Sequence, residues 1–338
     1  MGESEYSSPD RNSSDAWWMS LPFKLSDVVV VESVRPIGFR FRKYSFNIAG
    51  KVDGQNILVT GEANTKDLAI TKAVAEFIER CVLIEFSKKH HDVKTSNGWA
   101  AHTNSESAQE NAIRELVERD AVLRHWYTRT PFHVLNLNSL PENIQQWVKT
   151  ELSRSEFPEL KILISHLGYG PSVSAVLMNK DGYGVTGHCS KESIIESIEG
   201  AIEESCRMAH HYLLKTYLCD TEKMKSGENT KVETGSHGVY YAHQEPFPSW
   251  ILGQSIDLKS GANCWSLKNK DLSRCKSAFI LTMASSGTLF VYQAKNESVI
   301  ELSWGLEKFD SLAIRLNGKI DKRLIYESNI NLKPHIIP

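Results

Sequence analysis

Apolar and polar positions recur along this chain with periods that can be read as elements. Val28 to Val34 is a β-branched run, and Phe39 to Phe46 alternates with period two, as a strand with one wet face does. Lys51-Val-Asp-Gly54 reads as a turn into a strand at Ile57 to Thr60. Three segments then show helical periodicity. Asn64 or Thr65 can cap the first, Ser107-Ala-Gln-Glu110 has the form of a capping box for the second, and Ser190 or Ser193 can cap the third. The turn-rich stretch Thr95 to Trp99 separates the first two helices. Lys161 to Ser165 and Val173 to Met178 read as strands, and Phe279 to Met283, Thr288 to Ala294 and Ser298 to Trp304 as successive strands of a closing sheet. Residues 1–20 form a polar, Ser-rich tail, and residues 220–248 read as a long loop insertion. The expectation is an α/β (α+β-like) domain over 21–338, with mixed sheets layered with helices.

The three helices repeat nearly one line: Ala69-x-x-x-Ala73-Val-x-Glu76-x-x-Glu79-Arg80, Ala108-x-x-x-Ala112-Ile-x-Glu115-x-x-Glu118-Arg119 and Ser197-x-x-x-Ala201-Ile-x-Glu204-x-x-Arg207. On helical wheels, Glu76 falls between Ala69 and Leu83, and Glu115 between Val122 and Trp126, within apolar stripes. Glu118 sits at the edge of its stripe. In the third helix Glu196, Glu199 and Glu203 occupy the polar face, and Glu204 borders the apolar side. Glu and Arg four apart ordinarily form salt bridges on a solvated face, but a threefold recurrence weighs against that reading.

Composition narrows the chemistry. A formal charge of −2 over 338 residues leaves no basic footprint for nucleic acid. The six cysteines never fall in a C-x-x-C spacing and read as reduced cytosolic thiols. No run approaches the ~18 apolar residues of a membrane span, and the N-terminus has no signal pattern. The expected location is the cytoplasm. Carboxylates without thiolates or spaced histidines favour a hard cation, and Mg2+ is usually held by one or two carboxylates together with substrate phosphates. With Arg80 and Arg119 nearby, the glutamates read as a metal–nucleoside triphosphate site. There is no Walker A Gly-Lys-Ser/Thr. Gly182-Tyr-Gly184-Val-Thr-Gly187 matches a dinucleotide fingerprint, but His188, Cys189 and Ser190 intervene before the helix, and Asn179 to Gly182 reads as a hairpin turn. A nicotinamide-dependent oxidoreductase is therefore the weakest of the readings considered.

Taken together, Gly61 to Arg80, Ser96-Asn-Gly98-Trp-Ala100 and Ala112 to Asp120 resemble the YcaO family, and Glu204 with Arg207 falls where that family carries its late Glu-x-x-Gln or Glu-x-x-Arg. The resemblance spans about residues 30–310. It implies a YcaO-type fold that binds ATP and Mg2+, with Glu76, Glu79, Glu115, Glu118 and Glu204 holding metal and phosphates. By the same resemblance Arg80, Arg119 and Arg207 contact the nucleotide, with Lys43 and Ser45 as loosely placed contributors from the early strand. The implied activity is ATP-dependent modification of backbone amides in a ribosomally made precursor peptide, foremost cyclodehydration of Cys, Ser or Thr to azolines. Thioamide or amidine formation and a weakly active scaffold role are the alternatives. A separate leader-binding or activating partner protein is expected, and a homodimer is left open.

Two features modify that picture. Where the family often has Gly-Lys-Gly before the first helix, this chain has Gly61-Glu62-Ala63, and a frequent Ser is replaced by Ala73. The C-terminus ends Lys333-Pro-His-Ile-Ile-Pro338, and azoline-forming members tend to carry a proline-rich tail that enters the active site. Pro338 is accordingly the expected catalytic residue, acting through its carboxylate. Deletion of 333–338 is expected to leave stability nearly intact, because the metal ligands lie on other elements.

Overall fold

In the computed structural model, the described residues are 23–33, 44–89, 96–165, 167–213, 240–265, 279–283, 287–303 and 308–337. Three strands come first among the described residues: β1 (Leu25–Ser33), β2 (Tyr44–Val52) and β3 (Gln55–Ala63), paired antiparallel in that order. The β2–β3 turn is built on Asp53 and Gly54, with φ of 46° and 82°, the left-handed pair that a tight hairpin requires.

Helix α1 (Lys66–Lys89) follows, its first turn capped by the Thr65 hydroxyl, which accepts from the Leu68 amide. It is apolar on two sides because two sheets cover it. Ala69, Ala73, Phe77 and Cys81 pack with Phe46, Ile48 and Val59 of the first sheet. Ile78 and Val82 pack with Trp99, Leu289 and Val291 of a second. That second sheet is antiparallel and runs β10 (Phe279–Met283), β11 (Gly287–Gln293), β4 (Trp99–His102). Only a narrow stripe of α1 is left, and it carries the acids.

Helix α2 (Ser105–Thr128) is capped by Asn104, whose side chain accepts from the Ser107 amide at 2.9 Å. The expected capping box at Ser107 is therefore displaced by an Asn three residues earlier, which offers the same acceptor one turn sooner. A five-stranded sheet takes up the middle of the chain. Its order is β8 (Gly184–Cys189), β7 (Ser172–Met178), β6 (Glu159–Ser165), β5 (Phe132–Leu135), β9 (Leu252–Ile256), with only β5 and β9 parallel. Helix α3 (Glu142–Thr150) and α4 (Ile194–Leu213) join its core, where Trp147, Ile162, Leu177, Ile198 and Ile202 are buried together. The short helices α5 (Leu258–Cys264) and α6 (Phe309–Leu316) complete the regular structure described.

The Asn179–Gly182 segment is the hairpin turn expected from sequence. The Gly182 amide bonds the Asn179 carbonyl at 3.1 Å, Gly182 has φ 83°, and β7 and β8 are antiparallel. The glycine pattern is thus a β-hairpin and no phosphate loop. Two expectations fail. Residues 298–303 form no strand; Ser298 instead enters a turn on the Asn296 side chain. The segments β5, α3 and β9, unassigned from sequence, are ordered elements in the sheet and its cover. The expected tail 1–20 and most of the expected insertion, residues 220–239, lie outside the described residues. The end of that insertion is a single π-helical turn, Tyr240–Gln244, with Tyr241 and Ala242 buried.

Candidate active site

The small residues of the repeated line rest on strands. A Cβ on Gly61 of β3 would lie 2.2 Å from the Ala69 carbonyl and the Ala73 amide of α1. A Cβ on Gly187 of β8 would lie 2.4 Å from the Ala201 carbonyl and 2.2 Å from the Ser205 amide of α4. In α2, Ala108 and Ala112 pack under Ala100, Tyr292 and Ala294. Each helix thus seats small residues on a sheet and turns its Glu–Arg row away from that contact. Ala73 is fully buried in this seat, so its small size serves the close approach of α1 to β3.

The rows meet. In α1, Arg80 lies 3.6 Å from Glu76 and 3.9 Å from Glu79; in α2, Arg119 lies 2.5 Å from Glu115; in α4, Arg207 lies 3.1 Å from Glu204. The ordinary intrahelical pairs are therefore present, but they are only partly solvated. Glu79 keeps 12% of its side-chain exposure and Arg119 16%, so neither row is a solvated face. Burial pushes the Glu79 carboxyl up from 4.5 to about 8, with Arg80 opposing and Glu115 and Glu76 adding to the rise. Glu115 is raised by burial against the pull of Arg119 and Arg80. Glu118 is raised well above the carboxylate range by burial and then by Glu204 across the gap. The structure thus brings Glu76, Glu79 and Glu115 together with Arg80 and Arg119, and Glu118 together with Glu204.

Like charges held close in low dielectric call for a cation. Glu115 Oε2 and Arg119 Nη1 are both buried without a hydrogen-bond partner, an unmet acceptor beside an unmet donor. A divalent ion and a phosphate oxygen would satisfy them respectively, so the residues present fit Mg2+ and a triphosphate. Among the described residues, no group of three or more His, Cys, Asp or Glu side chains could hold a metal ion, so Mg2+ would take one or two of these carboxylates and complete its shell from phosphate and water.

Other expected site residues fall differently. Ser45 is buried and donates to Glu62 at 3.3 Å across the β2–β3 pair. Lys43 and Pro338 lie outside the described residues. Glu203, expected on the wet face of α4, is 5% exposed, because that face closes on the start of α1. A cavity of about 330 Å³ lies there, lined by Lys72, Lys191, Glu196, Glu199 and Glu203.

Sequence reasoning missed the edge of the site formed by β8 and the chain's last described segment. The His188 amide donates to Glu204 Oε2 at 2.5 Å. The Thr186 hydroxyl donates to the Ile336 carbonyl, and His188 Nε2 lies 3.3 Å from the same oxygen. Trp126 Nε1 donates to the Lys333 carbonyl at 3.1 Å, and the Tyr241 hydroxyl to the Pro334 carbonyl at 2.7 Å. His335, Ile336 and Ile337 are buried. The alternation Thr186-Gly-His188 was the available signal, since residues two apart on a strand share a face.

Comparison with known proteins gives the family. The model of the YcaO family, described as an ATP- and Mg2+-binding cyclodehydratase, matches residues 83–255, just over half of the chain. The chain belongs to the YcaO family. ATP and Mg2+ are accordingly its cofactors. Similar solved structures include a heterocyclase in complex with substrate and cofactor, at 11% identity and TM-score 0.51, covering 79% of this chain and 49% of that one. The E. coli microcin synthetase McbBCD complex is similar at 10% identity and TM-score 0.50, over 92% of this chain and 96% of that one. The YcaO protein from Methanopyrus kandleri bound with AMPPCP and Mg2+ gives 14% identity and TM-score 0.49, over 79% and 84%. At these identities the likeness of the first two speaks for a YcaO fold of mixed sheets and helices. No curated protein matches the sequence. Among the described residues of this YcaO chain, no helix is long and apolar enough to cross a membrane.

Proposed function

We propose that this chain modifies backbone amides of a ribosomally made precursor peptide, cyclodehydrating Cys, Ser or Thr to azolines. In that reaction the side-chain hydroxyl or thiol gives up its proton and adds to the carbon of the preceding amide, and the former carbonyl oxygen departs as phosphate while the amide nitrogen loses its proton to form the ring C=N bond. Bound Mg–ATP supplies the phosphoryl group that makes this oxygen a leaving group. Carboxylates drawn from Glu76, Glu79 and Glu115 on one side and Glu118 and Glu204 on the other would hold the metal. Arg80 and Arg119 stabilise charge on the phosphates, and Arg207 orients Glu204. Lys72 lies one helical turn before Glu76, so the cavity beside it has the position and volume for the nucleoside.

The observation that carries the choice of azoline chemistry is the segment Lys333 to Ile337, held by Trp126, Tyr241 and Thr186 and ending against His188 beside Glu204. A segment held at the carbonyls of Lys333, Pro334 and Ile336 has a defined path, and that path ends beside Glu204, the carboxylate proposed to meet the metal. A weakly active scaffold is the second reading. It is favoured by Glu62, which puts a buried carboxylate on Ser45 where relatives often carry a lysine.

The heterocyclase and microcin synthetase to which the fold is similar are described with substrate bound and as a multi-chain complex, respectively. We therefore expect a peptide substrate and a partner protein here. Mass spectrometry of a small peptide encoded beside this chain, incubated with it, the partner and Mg–ATP, tests the reading. Loss of water supports azoline formation, exchange of oxygen for sulfur indicates a thioamide, and an unchanged peptide with intact Mg–ATP binding favours the scaffold.

A further inference from the structure

The strand β8 faces two ways at the site. Gly187 looks toward α4 and lets its backbone approach Ala201 and Ser205. Thr186 and His188, one residue to either side, look the other way, and both reach the carbonyl of Ile336. That carbonyl can only accept, so His188 Nε2 carries the proton. The other ring nitrogen, Nδ1, lies 2.8 Å from the Ser174 hydroxyl on β7, which then donates to it. Ring orientation and tautomer are thus both fixed by neighbours, as they are for an imidazole whose role is to hold a partner in place. Burial also lowers the tendency of the ring to take a second proton. At the same residue, the backbone amide holds Glu204 Oε2.

We infer that His188 is a positioning residue that fixes the segment 333–337 relative to Glu204, its ring anchoring the segment and its main chain anchoring the carboxylate. The inference rests on the reading of Glu204 as a metal ligand and of the segment as part of the site. Its physical content is that a single residue sets the offset between the two. A ring that merely filled space would need neither the Ser174 hydroxyl nor the Ile336 carbonyl.

Hydrogen exchange on the full chain, read on the amides of 331–337, tests this together with calorimetric titration by Mg–ATP. His188→Leu should speed exchange in that segment by roughly tenfold, the loss of one buried hydrogen bond. Its Mg–ATP affinity should change less than about twofold, because the contact to Glu204 is made by the main chain. His188→Gln, whose amide nitrogen can still donate to the carbonyl, should restore most of the protection. Unchanged protection in His188→Leu, or equal loss in the Leu and Gln variants, would overturn the assignment. If His188→Leu does not fold, Ser174→Ala decides. It leaves the ring in place but releases its tautomer, so faster exchange in 331–337 supports the proposal and full protection refutes it. Failure of the wild-type chain to bind Mg–ATP would instead sink the functional reading, and the exchange data would stand apart from it.

Discussion

Gly187 and Ala201 touch through their backbones: a Cβ on the glycine would sit 2.4 Å from the alanine carbonyl, closer than real atoms approach. This contact sets the distance between β8 and α4, and with it the reach of Glu204 to the His188 amide. Gly187→Ala must push strand and helix apart, and overpacking of this kind costs about 1–3 kcal/mol. We expect a lower melting temperature together with a loss of the stabilisation that Mg–ATP gives. A variant with normal Mg–ATP response would show that the spacing is not critical to the site.

Glu118 is held near Glu204 in a buried setting that disfavours its charge. Glu118→Gln removes that unfavourable charge, so the metal-free protein should melt higher than wild type. The same substitution removes a proposed ligand, so the upward shift on adding Mg–ATP should vanish. Calorimetric scans with and without Mg–ATP check both signs. A variant that melts lower without ligand, or still responds to it, contradicts the assignment.

The stability of the metal-free protein should fall with rising pH across the window set by Glu79. Its carboxyl goes from 4.5 in the unfolded chain to about 8 in the fold, so the folded state binds more protons between these values. The contribution is complete below 4.5 and is lost as pH rises to about 8. Metal binding requires the ionised form, so Mg–ATP should stabilise the protein more strongly at the upper end of the window. In Glu79→Gln both slopes should flatten, which melting curves taken across the window would reveal.

Deletion of 333–338 should destabilise the chain, contrary to the expectation from sequence. Ile336 and Ile337 are 1% and 4% exposed and belong to the core around Trp126, Tyr241 and Leu316. Two buried isoleucines contribute roughly 3–6 kcal/mol at about 1.5–3 each. The tail thus has a packing role besides any chemical one, and truncation alone cannot separate them. Point changes at Thr186 or His188, which leave the isoleucines in place, are the cleaner probes.

The helices and their acids were legible in the sequence because both are local. The spacing of Ala69, Ala73, Glu76, Glu79 and Arg80 is a property of one helix, and its threefold recurrence pointed to a shared purpose before any contact was known. The β-hairpin at Asn179 to Gly182 was legible for the same reason. What periodicity overrated was the wetness of a face: Glu203 looked solvated on its own helix, and another element covers it. Short pieces such as β5, with four residues, carry too little pattern to be read, and they exist because neighbouring strands complete their hydrogen bonds.

The sequence by itself determined which residue types could meet a metal and a triphosphate, and the small residues that let helices lie flat on strands. Only the tertiary structure decided that Glu118 faces Glu204, that Arg119 keeps an unmet donor beside an unmet acceptor of Glu115, and that the Ile336 carbonyl ends against His188. The widest of these contacts, His188 with Ile336, joins residues 148 positions apart. Such pairs are selected by the packing of whole layers, and no local period along the chain encodes them.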